Sequence, residues 1–389
     1  MPSDSTAFIP LCVPDLSGRE GEYLARCVES GWVSTAGPFV QDFEAALARY
    51  LGRPEAVAVQ SGTAALHLAL LTLGVGPGDL VPVSTLTFIA PANAVRYCGA
   101  TPLFVDAEPG SWQMDLGKLE AFLSTDCEPG PGGLRHRESG LTVRVLLPVH
   151  IMGGVVDMTR CEALAQRFGL RIIEDATEAL GATWNGRPAG TLGDIGCFSF
   201  NGNKLVTAGG GGAVVARDPV HLARIRHLST QAKVDGAEYV HDAVGFNYRL
   251  TSIQAAVGRA QLERIGDFLA AKARIAGSYQ KAFAGHPGIA FGPPEPAGGQ
   301  AWWMSAATLT AGRSRIGSRD LIAKLREAGI ETRPLWQPIH QSPAHQPALS
   351  AGACTVADAL YANGLCLPCS AALTVADQDR VIDKILVLV

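Results

Sequence analysis

The chain has no basic excess: its 32 lysines and arginines face 36 aspartates and glutamates, a formal net charge of −4. A general nucleic-acid binder would carry the opposite footprint, so that class is excluded, although local basic groups can still hold a phosphorylated small molecule. No apolar run is long enough to span a bilayer, and no membrane partner is expected. Around Pro2, Ser3 and Asp4 there is no basic segment followed by an apolar one, so no signal peptide is expected. Charged residues are few, 17% against 47% hydrophobic, which excludes a disordered chain and suits a well-buried globular enzyme. At 389 residues the chain exceeds the length at which one core usually keeps growing, so two domains are expected.

Cysteine pairing motifs are equally scarce. Of nine scattered cysteines only Cys366 and Cys369 stand in C-x-x-C spacing, with no second pair to complete a zinc site. Buried reduced thiols in a cytoplasmic, reducing setting are the expectation, with no metal.

What is present is a regular alternation. Short apolar runs at 56–59, 80–83, 103–106, 143–149, 171–174, 197–200 and 213–216 alternate with helical patterns such as Met158–Phe168, the signature of an α/β layered sheet. Residues 41–51 place Phe43, Leu47, Tyr50 and Leu51 on one helical face, and a second helix is expected over 63–73. The glycine- and proline-rich segment 129–140 reads as an exposed excursion. Thr251 and Gln254 have capping-box spacing and open a helical stretch to about Phe283, with a break expected at Gly266. Residues 286–299, with Pro287, Pro293, Pro294 and Pro296, read as a turn-rich connection. A large domain over 1–265 and a smaller one over 266–389 follow, with the boundary somewhere in 251–299. Further helices are expected at Arg319–Ala328 and from Val375, capped by Thr374.

Four local patterns suggest chemistry. Ser199-Phe200-Asn201-Gly202-Asn203-Lys204 follows a strand and precedes a run of four glycines. A lysine among small residues can approach a planar cofactor, form a Schiff base as a neutral amine and shuttle a proton. Taken alone, such a lysine is more often a solvated surface charge. Glu174 and Asp175 end an apolar strand; successive strand residues point to opposite faces, so they should not share one task. Asp175 is the candidate acid for a ring nitrogen, with Glu178 beside it; the bland reading of Asp175 is a helix N-cap. Ser61-Gly62-Thr63 joins a strand to a helix, where free N–H groups and the helix dipole favour an anion. Phe88 can stack on a ring, though an aromatic among apolar residues is usually plain core.

The order of these signals changes their weight. With GWVSTAGPFVQDFE (31–44), SGTAALHLAL (61–70), TFIAPANAVRYCGATPLFVD (87–106), EDATEALG (174–181), GDIGCFSFNGNK (193–204) and GFNYRLTSIQAA (245–256), nearly the whole chain resembles the DegT/DnrJ/EryC1/StrS family of pyridoxal-phosphate (PLP) sugar aminotransferases. The resemblance implies fold type I, as in aspartate aminotransferase: a large α/β/α domain with a mixed, mostly parallel sheet, and a smaller C-terminal α+β domain. It implies a homodimer with shared active sites. Lys204 would be the Schiff-base lysine, Asp175 the partner of the ring nitrogen and Phe88 the stacking aromatic. Gly62, Thr63 and Ser199 would contact the phosphate, Glu178 would lie near the ring hydroxyl and sugar, and Asn247 would reach the phosphate of the other subunit. Arg249, Lys233 and Arg333 are candidates for substrate anions, with Trp336 and His340 bordering the sugar.

Within the family, SFNGNK followed by glycines is similar to the branch that aminates C4 of UDP-linked 4-keto-6-deoxy-N-acetylhexosamines for bacillosamine and legionaminic acid pathways. That branch usually has threonine where this chain has Ala208. Family dehydratases carry histidine in place of the lysine, so Lys204 argues against that activity. The implied reaction moves an amino group from L-glutamate to the keto sugar, the cofactor cycling through pyridoxamine phosphate. C3 amination, a GDP- or dTDP-linked sugar, and a non-catalytic PLP-binding regulatory protein are the alternatives.

Overall fold

The computed structural model describes residues 7–235, 238–294 and 298–389. Pro2, Ser3, Asp4 and Pro296 lie outside them. A mixed sheet forms the centre of the molecule. Across it run Leu349–Ser350, Thr101–Val105, Leu80–Ser84, Val145–Leu146, Arg171–Asp175, Ile195–Ser199, Gly212–Ala216 and Val57–Val59. A parallel bridge between Val83 and Leu147 joins its two halves. The strands are parallel except at one side, where Gly212–Ala216 runs antiparallel to both neighbours.

The strands are near-continuous apolar runs because helices cover both faces. Their alternate residues feed two separate cores. Val83, Phe104, Ile173, Cys197 and Val214 belong to one, with the helix Gly62–Thr72. Leu80, Leu103, Ile172, Phe198 and Val215 belong to the other, with the helix Met158–Phe168. The two-residue period thus decides which face of the sheet each side chain reaches.

Helix boundaries follow the local chemistry. Thr251 and Gln254 form a complete capping box at the start of Ser252–Glu263. The expected break at Gly266 falls instead at Arg264, which has φ −107° and separates that helix from Ile265–Phe283. Arg264 is held there by two bonds from its guanidinium to the Asp15 carboxylate, at 3.3 and 3.1 Å. Thr374 caps the last helix, Val375–Leu388, as expected.

The glycine-rich 129–140 segment differs from the excursion expected. Cys127–Gly130 and Gly133–His136 pair as a hairpin whose turn is Pro131-Gly132, and Thr142–Val143 adds a third strand. Gly132 sits at φ +80°, which proline before it and glycine itself make easy. The turn-rich 286–299 segment likewise contains a strand, Ile289–Phe291. It begins a second, antiparallel sheet with Ser305–Leu309, Gly364–Leu367 and Arg333–Pro334. The helices Ser318–Glu327 and Val375–Leu388 accompany that sheet.

Candidate active site

A cavity of about 480 Å³ opens at the ends of the central strands. It brings together Gly62, Thr63, Phe88, Asp175, Glu178, Ser199, Lys204 and Trp336 from the residues singled out in the sequence. Strand ends and helix starts meet there, so backbone N–H groups without helical acceptors face a common space. Ser61 caps the helix Gly62–Thr72, its hydroxyl accepting from Ala64 N at 3.0 Å. Gly62 allows the close approach: a Cβ there would stand 2.9 Å from Ser199 Cβ and 3.0 Å from Thr177 Cγ2. Any side chain would fill the cradle.

The two neighbouring acids separate as the pleat demands. Glu174 points away from the cavity and is entirely buried. It accepts from Gly190 N, Leu192 N and Gly193 N, and meets His150 Nε2 at 2.9 Å. Burial pushes its pKa up, but the histidine and the N–H groups prevail and hold it below the ordinary value. Asp175 lines the cavity, with Oδ1 accepting from Thr177 N at 3.1 Å. Burial raises its pKa against the opposing pull of Thr177 and Lys204.

Lys204 lies beside Asp175 and Glu178, its side chain 14% exposed. Its Nζ is 3.9 Å from Glu178 Oε1. Both groups lean toward their neutral forms despite this proximity, because burial outweighs the attraction. Lys204 is shifted down, and Glu178 is pushed up to about 7. A neutral amine is the nucleophilic form of lysine. Glu178 Oε2 also accepts from Met152 N at 2.9 Å, holding a residue whose φ of +59° is unusual outside glycine.

Among the cavity residues that the sequence did not single out is Trp303. Trp303 lies under Lys204, with Nζ 3.9 Å from the ring centroid, and its Nε1 donates to Asn203 O at 2.7 Å. Its ring stacks near-parallel on Trp336 at 6.1 Å. Trp302-Trp303 follows the turn-rich segment, and only the pairing of the second sheet reveals where it goes.

Other candidates stand apart from this cavity in their own chain. Lys233 and Arg249 line a separate, open cavity with Thr230, Tyr239 and His241. Asn247 is exposed and bridges to Thr230. Arg333 is exposed and pairs with Glu331 at 2.8 Å. His340 is fixed by Thr85 Oγ1 at 2.8 Å and Asp358 at 3.1 Å.

Fold and family match together define a PLP-dependent sugar aminotransferase of fold type I, and the residues around the cavity fit that cofactor. Over residues 14–386 the chain matches, and belongs to, the DegT/DnrJ/EryC1/StrS aminotransferase family. It is 41% identical to GDP-perosamine synthase of Caulobacter vibrioides, over 97% of this chain and 98% of that protein. It is 38% identical to GDP-perosamine synthase of Escherichia coli O157:H7, over 87% of each. Among solved structures, Spr1654 from Streptococcus pneumoniae in its PLP form superposes with a TM-score of 0.87. That pair is 25% identical, over 98% of each chain. No helix among the described residues is long and apolar enough to cross a membrane.

Proposed function

We propose that this enzyme transfers the amino group of L-glutamate to the C4 keto group of a GDP-linked 4-keto-6-deoxy sugar. The observation that carries the reading is the meeting of Lys204, Asp175 and Glu178 around one cavity, in a chain so similar to GDP-perosamine synthases. Those relatives move the nucleotide from the UDP suggested by SFNGNK to GDP; amination at C4 is kept from the family resemblance.

When bound, PLP supplies the electron sink that lets the carbon bearing the amino group lose its proton. The chain's part is positioning and proton transfer. Lys204, whose pKa burial lowers toward the nucleophilic amine, would hold the cofactor and serve as the group that moves a proton. Asp175 would hold the ring nitrogen and favour its protonated form. The start of the helix Gly62–Thr72, with Thr63 and Ser199, would hold the phosphate, and Phe88 would pack against the ring. Glu178, close to Lys204, adjoins the ring hydroxyl and the sugar. Trp336 borders the sugar, with Arg333 and His340 beyond it.

The reading includes a homodimer. Asn247, Arg249 and Lys233 lie outside their own chain's cavity and serve the partner's, Asn247 toward the phosphate and the two basic residues toward substrate anions. Exposed apolar residues nearby, Tyr239 at 86% and Val244 at 85%, suit a face that a second copy covers. We also read residues from about 266 onward as the smaller domain.

The test is a screen of GDP-, UDP- and dTDP-linked 4-keto sugars with glutamate, the aminated carbon being read by NMR. A GDP-linked 4-amino product is expected. Preference for a UDP-linked N-acetyl sugar, or amination at C3, would overturn the specificity. A cofactor spectrum indifferent to glutamate and other amino donors would favour a binding protein.

A further inference from the structure

Lys272 is a buried cation that the proposed chemistry does not use. It is 3% exposed, and its Nζ donates to Trp303 O at 2.8 Å and Cys369 O at 2.6 Å. Cys12 Sγ and Cys369 Sγ each lie 3.5 Å from the same nitrogen. A buried ammonium needs an anion, and a thiol is the group here able to become one. With the Cys12 thiol and Lys272 beside it, the Cys369 thiol is drawn down, whereas the Cys12 thiol is pushed up. With both sulfurs 3.5 Å from one ammonium nitrogen, the cluster favours a Cys369 thiolate beside Lys272, with the proton on Cys12.

The C-x-x-C spacing suggested a different pair. Cys366 belongs to the strand Gly364–Leu367, where burial raises its thiol. The thiol that shares the Lys272 ammonium with Cys369 is Cys12, remote in sequence. The N-terminal segment runs alongside, with Cys369 N donating to Leu11 O at 2.7 Å and Val13 N to Ser370 Oγ at 3.0 Å. Cys369 is fully buried, whereas Cys12 is partly exposed.

We propose that Cys12 and Cys369 are a reversible oxidation site, converted to a disulfide by a peroxide and thereby coupled to Lys204. The Cys369 thiolate takes the Cys12 proton as the more exposed Cys12 sulfur attacks the peroxide, giving a Cys12 sulfenic acid and hydroxide, which recovers that proton as water. The Cys369 thiolate then attacks the Cys12 sulfur, forming the S–S bond and breaking the S–O bond. Hydroxide leaves and takes a proton from Lys272, which no longer has a counter-ion and becomes a neutral amine. Two thiols are oxidised and one peroxide is reduced to two waters.

The consequence reaches the cavity through Trp303. Its carbonyl is held by Lys272, its Nε1 holds Asn203 O, and Cys12 Sγ also approaches Asn203 O at 3.7 Å. Lys204 is the next residue. Neutralising Lys272 weakens a charge-assisted bond at the base of this support.

The proposal takes the assignment of Lys204 from the reading above, but the thiol chemistry is measured without turnover. The holoenzyme is treated with hydrogen peroxide, alkylated and peptide-mapped with and without dithiothreitol. Loss of two of its nine thiols, a Cys12–Cys369 crosslink and a fall in turnover, all restored by dithiothreitol, are expected. Cys12→Ser should prevent all three; Cys366→Ser should prevent none. Sulfinic acid without a crosslink, or a Cys366–Cys369 crosslink, would overturn the site. A Cys12–Cys369 crosslink with unchanged turnover would overturn its coupling to Lys204. Absence of aminotransferase activity with the crosslink intact would instead indict the functional assignment.

Discussion

Lys204 rests on the face of Trp303, its Nζ 3.9 Å from the ring centroid, while the indole N–H grips the carbonyl of Asn203. One side chain therefore positions both the amine and the loop that carries it. A cation over an indole in a desolvated site gains about 1–2 kcal/mol. By loosening the amine and the loop that carries it, Trp303→Leu should lower kcat by on the order of 10- to 100-fold with KM for glutamate little changed. Trp303→Phe, which keeps a ring but loses the N–H, should fall between. Loss of the ring also destabilises the ammonium. Amine labelling of Lys204 in cofactor-free protein should then reach its midpoint at lower pH in Trp303→Leu. An unmoved midpoint and unchanged kcat would leave Trp303 as simple packing.

Lys204→Ala should abolish turnover while leaving the chain folded, because the lost group is a nucleophile rather than a packing element. Borohydride treatment of the wild-type enzyme should place the pyridoxyl label on position 204 in a peptide map. A label elsewhere, or substantial turnover by the variant without added amines, would refute the assignment.

Glu174 and Asp175 are sequence neighbours with opposite surroundings, so their substitutions should separate. Asp175→Asn should lose activity on the order of 10²-fold or more, through a weaker hold on the ring proton, with modest change in unfolding. Glu174→Gln places a donor among three N–H groups and His150, and should destabilise the fold by about 2–4 kcal/mol. Denaturant midpoints and turnover measured on both variants provide the check. Equal loss of activity with equal stability would merge the roles that the strand pleat keeps apart.

These contrasts also mark how far the sequence could be read. The central strands were legible as apolar runs, and the two-residue period already separated Glu174 from Asp175. Gly62, Thr63, Phe88, Ser199 and Lys204 came from strand ends and helix starts, where local pattern and family resemblance agree. The second sheet was not legible: Ile289–Phe291 is only three residues long and Arg333–Pro334 two, too short for any periodicity. Trp303 and Lys272 were hidden for the same reason. Their meaning lies in contacts with Asn203, Cys12 and Cys369, which are remote in sequence and brought close only by the fold.

Glu178 makes the stability of the cofactor-free protein depend on pH. Its folded-state pKa is pushed up to about 7 by burial, against an ordinary value of 4.5. The folded form thus prefers the neutral acid. Its contribution to stability is fully present below pH 4.5 and is lost as pH rises through 7, by about 3 kcal/mol at most. Asp175 shifts in the same direction, and Lys204, shifted down, works in the opposite sense; each remains in a Glu178→Gln variant. The difference between wild type and variant therefore reports position 178 together with its coupling to Lys204 and Asp175. Wild-type apoprotein should lose stability relative to Glu178→Gln between pH 4.5 and 7, and the gap should level off above about pH 8. Denaturant unfolding at half-unit pH steps measures it. A gap that stays constant with pH would mean that Glu178 ionises as freely in the fold as in the open chain.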